Sequence, residues 1–219
     1  MTGLIFPHSK LLKGAGTVDP VSITQTDNDQ RNANGTSATF SNIAIGAAAA
    51  DRIVCICAAA EGGDDITSCN IDGTPMTMHG QARDTSPSPD TGCAIFTYPW
   101  PTGTTATITL FVSTSDDTGI CASRIVGGNG VVSDVDEDTS STTSVVTIPE
   151  NGAGVMVCAA NSDPSMSADN CTELDTFSGN GGDSIWCGYK LSATELVNEE
   201  FGCSGASTSN CCTAAFAIG

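Results

Sequence analysis

The sequence predicts an all-β protein: a single antiparallel β-sandwich of jelly-roll type, built from two similar halves and preceded by an extended N-terminal arm. Three observations lead to this fold class. Short runs rich in β-branched and apolar residues are separated by Gly, Asn, Asp and Pro. No window has a sustained helical apolar period, so long helices are not expected. A two-strand pattern that begins near Phe40 recurs about one hundred residues later.

The first copy of this pattern contains two β-rich runs, Phe40–Ile45 and Ile53–Ala60. Gly46 lies in the connector and can adopt the positive φ that a turn requires. The second run is apolar at nearly every position, which is typical of a strand buried on both faces. We therefore expect a hairpin whose second strand lies centrally in a sheet.

The second copy contains the runs Val145–Pro149 and Val155–Ala160. Val54–Ala59 matches Val155–Ala160 in the type and order of its residues. Cys93–Tyr98 corresponds loosely to Ile185–Tyr189. A repeated pattern of four strands predicts two halves that close one sandwich. The alternative is chance similarity between two β-rich halves.

The remaining segments divide into strands and polar connections. Period-two alternation or apolar content predicts strands at Val21–Thr26, Thr104–Thr114, Ile120–Val126 and Cys211–Ile218, and a hairpin around Asp72-Gly73. Polar composition predicts loops at Asp27–Ser37 and Gly80–Thr91 and an acidic linker at Asp134–Thr143. Ser192 and Glu195 have capping-box spacing, which predicts a single helical turn. The domain division is an arm at residues 1–20 and a sandwich at residues 21–219.

Charge separates the arm from the sandwich. The 219-residue chain has 25 acidic and 7 basic residues and a formal net charge of −18. Residues 1–18 contain Lys10, Lys13 and no acid, so the remainder has a formal charge of −20. Such a body repels nucleic acid and anionic membranes, and we expect it to bind neither directly.

The arm has the composition of a docking segment. Its apolar and basic side chains are the candidate partner-binding residues: Leu4, Ile5, Phe6, Lys10, Leu11, Leu12 and Lys13. The arm is too short and too interrupted to span a bilayer. The break at Pro7 and the lack of a basic leading region argue against a signal peptide, so we expect synthesis in a reducing cytoplasm.

Most of the eleven cysteines have the surroundings of core residues. A free thiol behaves as a small apolar side chain, and this is the expected role of the six in apolar predicted strands: Cys55, Cys57, Cys93, Cys121, Cys158 and Cys187. The segment between Gly202 and Asn210 reads as a loop that could bring Cys203 near Cys211 or Cys212. An odd total leaves at least one thiol free unless chains cross-link.

Catalytic and metal-binding patterns are poorly supplied. The chain has two histidines, and no nucleophile-elbow, P-loop or dinucleotide motif is present. Cys55-x-Cys57 has no second pair of the spacing that structural zinc uses. Asp134–Asp138 begins like a calcium loop, but Thr139 replaces the glycine of that motif. His79 with Asp84 is interpreted as a turn pair. We therefore expect no enzyme activity, catalytic residue, metal or cofactor.

Four segments together carry a family resemblance: Phe40–Gly46, Asp51–Val54, Ile71–Met76 and Pro101–Ile108. With them the sequence, over roughly residues 36–218, resembles the β-sandwich virion proteins of tailed bacteriophages, especially marine ones. The resemblance implies a non-enzymatic structural protein assembled into a virion in the host cytoplasm. Capsid decoration (a cement protein) fits the arm and the acidic body best. The expected partners are the major capsid protein or another virion protein, and further copies in a homo-oligomer.

The alternative function is a receptor- or carbohydrate-binding module of a tail tip or fibre. Its recognition surface is expected at Gly80–Thr91 and Gly179–Asp183. The rings available for sugar stacking are those of Tyr98, Trp100, Trp186 and Tyr189, although their positions in or beside predicted strands favour burial.

Overall fold

The computed structural model describes residues 19–32, 35–61, 65–84, 91–114, 117–161, 165–178, 184–206 and 211–219. The regular elements in these ranges are strands: β1 (Ser22–Asn32), β2 (Ser37–Ala44), β3 (Ile53–Glu61), β4 (Ile66–Ile71), β5 (Thr74–Pro75), β6 (Thr77–Arg83), β7 (Thr91–Pro99), β8 (Thr105–Val112), β9 (Asp117–Val126), β10 (Val132–Asp138), β11 (Thr143–Ile148), β12 (Ala153–Ala160), β13 (Ser167–Asp169), β14 (Thr172–Ser178), β15 (Ser184–Leu191), β16 (Leu196–Ser204) and β17 (Cys211–Ile218). The described part of the chain includes no helix able to cross a membrane.

The strands form four antiparallel sheets. The first half supplies sheet I (β2-β8-β4-β5) and sheet II (β1-β9-β3-β7-β6). The second half supplies sheet III (β10-β17-β12-β15-β14) and sheet IV (β11-β16-β13). Three apolar cores fill the spaces between I and II, between II and III, and between III and IV. The predicted antiparallel β-sandwich is confirmed, and each half has its own pair of sheets instead of one pair shared by both.

The internal repeat extends to strand order. Sheets II and III have the same strand arrangement. In sheet II, β9 lies between β1 and β3, and in sheet III, β17 lies between β10 and β12. The matched segments Val54–Ala59 and Val155–Ala160 lie in β3 and β12, the central strands of the two sheets. Edge strand β6 lies against β10, and its counterpart β14 lies against β1, so the halves face each other with approximate twofold symmetry.

The connection between β2 and β3 differs from the predicted hairpin. The two strands belong to different sheets, because the chain crosses the edge of the core between them. Gly46 has the expected positive φ, 75°. Arg52, 1% exposed, holds the crossing. It donates to the carbonyl oxygens of Trp100 (2.6 Å), Gly46 (2.7 Å), Gly103 (3.0 Å), Ile45 (3.3 Å) and Thr102.

Several acidic or polar segments are strands where the composition predicts connections. β1 continues through Asp27 to Asn32, and β10 occupies most of the predicted linker. β6 extends to Arg83, into the predicted loop Gly80–Thr91. These strands lie at sheet edges, where polar side chains remain in contact with solvent.

Local turn and alternation signals are more accurate. Asp72 and Gly73 form the predicted turn with φ of 45° and 79°. β8 alternates exposed and buried positions as expected, with Ile108, Leu110 and Val112 facing the core. The helical turn predicted at Ser192 is wrong: the Ser192 hydroxyl instead donates to the Thr194 carbonyl at 2.5 Å.

Replacing Arg52 with leucine is expected to lower the free energy of unfolding by about 3 kcal/mol or more. The substitution removes the donors that satisfy buried carbonyl oxygens, and unsatisfied groups of this kind are costly. Urea denaturation measures the change. As a control, Arg31→Leu alters an exposed side chain whose ion pair is with Asp29, and it should change stability by no more than about 0.5 kcal/mol. Equal effects of the two substitutions would contradict this role for Arg52.

Candidate interaction surfaces

The arm residues selected from the sequence, Leu4 to Lys13, lie outside the described residues. The chain enters the described body at Asp19, between the two halves. The Asp19 carbonyl accepts a hydrogen bond from Gly128 N at 2.6 Å, and Val21 N donates to the Asn151 carbonyl in the second half at 2.8 Å. Val21 and Ile23 then enter the core between sheets II and III. The base of the arm is therefore tied to both halves.

This end of the stack is called the terminal pole. It also contains the last residue, Gly219, whose carbonyl accepts from Asn129 N at 2.7 Å. Gly128 has φ of +66°, and a Cβ added there would lie 2.7 Å from the Gly219 carbonyl carbon. Only glycine therefore fits this approach of the two chain ends. The base of the arm and the C-terminus are neighbours.

The opposite end is called the pocket pole. β3 runs from one pole to the other, a distance of about 27 Å at the usual rise per residue. A pocket with an empty volume of about 370 Å³, partly open to solvent, lies there between the halves. It is lined by Gln30, Arg31, Ala59, Ala60, Glu61, Thr91, Asp117, Thr118, Gly119, Ala159, Ser184 and Ile185.

The two predicted recognition loops fall mostly outside the described residues, at 85–90 and 179–183. Their flanking residues are described. Asp84 N donates to the Thr91 carbonyl at 2.9 Å, and Ser178 pairs with Ser184. Thr91 and Ser184 both line the pocket, which places the attachment points of the two segments at the pocket pole.

One of the four candidate sugar-stacking rings is a core residue, and the other three are partly buried. Trp186 is fully buried, and its Nε1 donates to Glu173 Oε2 at 3.2 Å. Tyr98 and Trp100 are partly buried with ring centroids 5.9 Å apart, and Tyr189 is partly buried against the central core. Burial removes Trp186 from any sugar-binding surface.

No group of three or more His, Cys, Asp or Glu side chains in the described ranges is placed to hold a metal ion. His79 does not form the predicted pair with Asp84. Its Nε2 lies 2.6 Å from Thr97 Oγ1, and its ring stacks on Phe216 with centroids 5.2 Å apart. Desolvation by burial lowers the pKa of His79 below its ordinary value. These contacts give His79 a packing role between β6 and β17.

Four carboxylates protect strand edges. Asp134 and Asp136 of β10 accept hydrogen bonds from Thr147 N (2.7 Å) and Val145 N (2.8 Å) of edge strand β11. Asp27 accepts from Ala44 N of edge strand β2 at 2.7 Å. Glu137 accepts from Gln81 N of edge strand β6 at 2.9 Å. We call these four residues the edge caps. The acidic run that begins like a calcium loop therefore binds backbone amides.

Edge caps have a consequence for association. An uncapped edge presents N–H groups that can pair with a strand of another molecule. At β2, β6 and β11 a charged side chain already accepts from one or two of those groups. Addition of a strand at these sites has to displace a charge-assisted hydrogen bond. The acidic residues therefore disfavour aggregation in two ways, by occupying edge N–H groups and by giving the protein a large net charge.

The outer face of sheet I has an unusual composition for so acidic a protein. Most exposed and half-exposed positions on its strands carry hydroxyl or amide groups, with one aromatic ring and no charged side chain: Ser37, Thr39, Ser41, Thr67, Ser68, Asn70, Thr105, Thr107, Thr109 and Phe111. One carboxylate lies beside them, at the turn after β4, where Asp72 accepts from Thr107 N at 2.8 Å. We call this the hydroxyl face. Across it, Thr39 and Asn70 flank Thr109, and Ser37 and Ser68 flank Phe111. The register aligns the hydroxyl groups in rows around one half-exposed ring.

All eleven cysteines are free thiols. The six predicted to be core residues are fully buried, which confirms that prediction. Cys203 also lies in the core, at the end of β16, where its Sγ is 3.8 Å from Met166 Sδ. Arg52 and the edge caps were missed by the sequence reasoning. The signals that could have indicated them are a lone arginine before an apolar strand and aspartates at alternate positions.

A scan of protein-family models finds no match to this sequence, and a search of curated proteins finds none.

The double substitution Asp134→Ala with Asp136→Ala is expected to destabilise the protein by about 1 kcal/mol for each lost hydrogen bond. It should also increase self-association, because two β11 amides become available for pairing. Urea denaturation and static light scattering measure the two effects. Glu150→Ala with Glu195→Ala removes the same charge from exposed positions outside the strands. An equal rise in self-association in this control would show that net charge alone is responsible.

Proposed function

We propose that this protein is a non-enzymatic structural component of a bacteriophage virion, a decoration (cement) protein that docks on the capsid through residues 1–18. The observation that carries the proposal is the attachment of a short basic, apolar arm to the seam of a strongly acidic body. The described chain begins at the terminal pole, at the opposite end of the stack from the pocket.

The composition of the arm supports docking on a protein surface. Its five apolar candidate side chains gain about 25 cal/mol for each Å² of apolar area that they bury. Lys10 and Lys13 favour an acidic rim around the docking groove. The body, at −20, is repelled by neighbouring bodies and by anionic polymers, which favours a position on the outside of a shell.

The attachment of the arm supports a cementing role. Tension applied through Asp19 passes to Gly128 of the first half and, through Val21, to Asn151 of the second half. Load on the arm is thereby shared by both sandwiches. A protein that binds an assembled shell but not its separated subunits stabilises the shell by mass action, with the major capsid protein or another virion protein as partner.

Deletion of residues 1–18 is expected to abolish incorporation into particles and to leave the sandwich folded. The reason is that the described strands and cores begin after the deleted segment. Particle purification followed by gel or mass-spectrometric quantification measures incorporation, and circular dichroism monitors the fold.

Two variants separate the contributions of the arm. Leu4→Ser with Phe6→Ser removes apolar area, and Lys10→Gln with Lys13→Gln removes charge. The first should reduce incorporation at all salt concentrations, and the second mainly at low salt. Full occupancy by the truncated protein would rule out docking through the arm.

The hydroxyl face favours a second function, binding of a neutral glycan at a tail tip or fibre. Strands without charged side chains limit the desolvation of carboxylates, and hydroxyl groups around one ring suit a polyhydroxylated ligand. Phe111→Ala is then expected to weaken binding to a neutral polysaccharide at least about tenfold, a loss of about 1.4 kcal/mol. Glycan-array and calorimetric titrations provide the measurement. The control Val197→Ala removes an exposed apolar side chain from sheet IV and should leave glycan binding unchanged. Absence of glycan binding by the wild-type protein would exclude this function.

A further inference from the structure

Two thiols from different halves of the chain lie side by side in the central core. Cys93 is in β7 of sheet II, and Cys212 is in β17 of sheet III. Their Sγ atoms are 3.5 Å apart, and both side chains are fully buried. They are separated by 119 positions in the sequence. A covalent bond between them would connect the two sandwiches.

Small side chains make this approach possible. Cys93 has Ala59 and Ala82 as its cross-strand neighbours, and Cys212 has Ala159. β7 and β17 approach with Cα–Cα separations of 8 Å or less, whereas stacked sheets are usually about 10 Å apart. A disulfide requires the two sulfurs to come about 1.5 Å closer. Rotation of the two short side chains, with a small sheet movement, supplies a shift of that size.

The thiol pair lies next to the pocket. Cys212 Sγ is 3.5 Å from the Thr91 carbonyl oxygen and 3.8 Å from Thr91 Oγ1. Thr91, Ala59 and Ala159 all line the pocket. A small molecule in the pocket is therefore separated from Cys212 by a single residue.

We propose that Cys93 and Cys212 are an oxidisable pair that closes to a disulfide between the halves when a small peroxide enters from the pocket pole. In the first step the Cys212 sulfur attacks one peroxide oxygen, the O–O bond breaks, and a sulfenic acid and one water form. In the second step the Cys93 sulfur attacks the Cys212 sulfur, the S–O bond breaks, and a second water leaves. Two thiols are oxidised by two electrons, and one hydrogen peroxide is reduced to two waters.

The environment of Cys93 slows the second step at neutral pH. Burial, together with the neighbouring Cys212 thiol, raises the pKa of Cys93 well above its ordinary value. The thiolate is the reactive form, so its fraction rises about tenfold for each pH unit below the pKa. Disulfide formation is expected to accelerate from pH 7 to pH 9.

The experiment uses the full chain, reduced, desalted and incubated with hydrogen peroxide, followed by N-ethylmaleimide to block remaining thiols. Trypsin then releases peptides 84–124 and 191–219. The expected result is a linked pair of these peptides, about 2 Da lighter than their sum, with fragmentation assigning Cys93 and Cys212. The oxidised protein should also unfold about 5–15 °C higher than the reduced protein in calorimetry, because the disulfide closes a long loop.

Cys93→Ala and Cys212→Ala should each eliminate the linked pair. Cys69→Ala is the matched control, because Cys69 is equally buried but lies in the core between sheets I and II, and the variant should form the link at the wild-type rate. The proposal is overturned if Cys212→Ala still yields the linked peptides. It is also overturned if peroxide links only other cysteines of the wild type, or converts Cys212 to sulfinic acid without a partner.

Discussion

The rest of the structure depends on the contact between sheets II and III. Sheet I is attached to the stack only through sheet II, and sheet IV only through sheet III, in the described part of the chain. The central strands β3 and β12 are buried on both faces, so each contributes to two cores. Alanine, cysteine and glycine dominate the closest part of the contact. A Cβ added at Gly80, for example, would lie 3.3 Å from Ala214 Cβ. Larger side chains there would separate the two halves.

Acidic residues have separate roles at the surface and at strand edges. The described residues contain three ion pairs, Arg31–Asp29, Arg83–Asp65 and Lys190–Glu199, far fewer than the number of carboxylates. The edge caps use their charge on backbone amides. Mutual repulsion and occupied edges act together to keep copies of the body apart. A body of this kind is suited to dense display on a surface, where association between neighbours has to come from a dedicated segment.

The proposed roles occupy different parts of the stack of sheets. The arm begins at the terminal pole, the pocket and the thiol pair lie toward the pocket pole, and the hydroxyl face covers sheet I. Asp19 is hydrogen-bonded to the first half and Val21 to the second, so the terminal pole connects the two halves. A disulfide between Cys93 and Cys212 would join the same halves near the other end. Together the two connections would resist separation of the sandwiches.

The sequence by itself determined the all-β class, the internal repeat, the doubly buried central strands and the turn at Asp72-Gly73, because alternation, apolar runs and turn residues act over a few neighbouring positions. It did not determine the partner surfaces. Acidic composition predicted a linker where β10 forms, since an edge strand tolerates charges that a linker also carries. The crossing held by Arg52, the capping of β11 by Asp134, and the meeting of Cys93 with Cys212 were decided only by the tertiary structure. Each of these contacts depends on which segments distant in sequence pack together, and the local residue pattern does not specify those pairings.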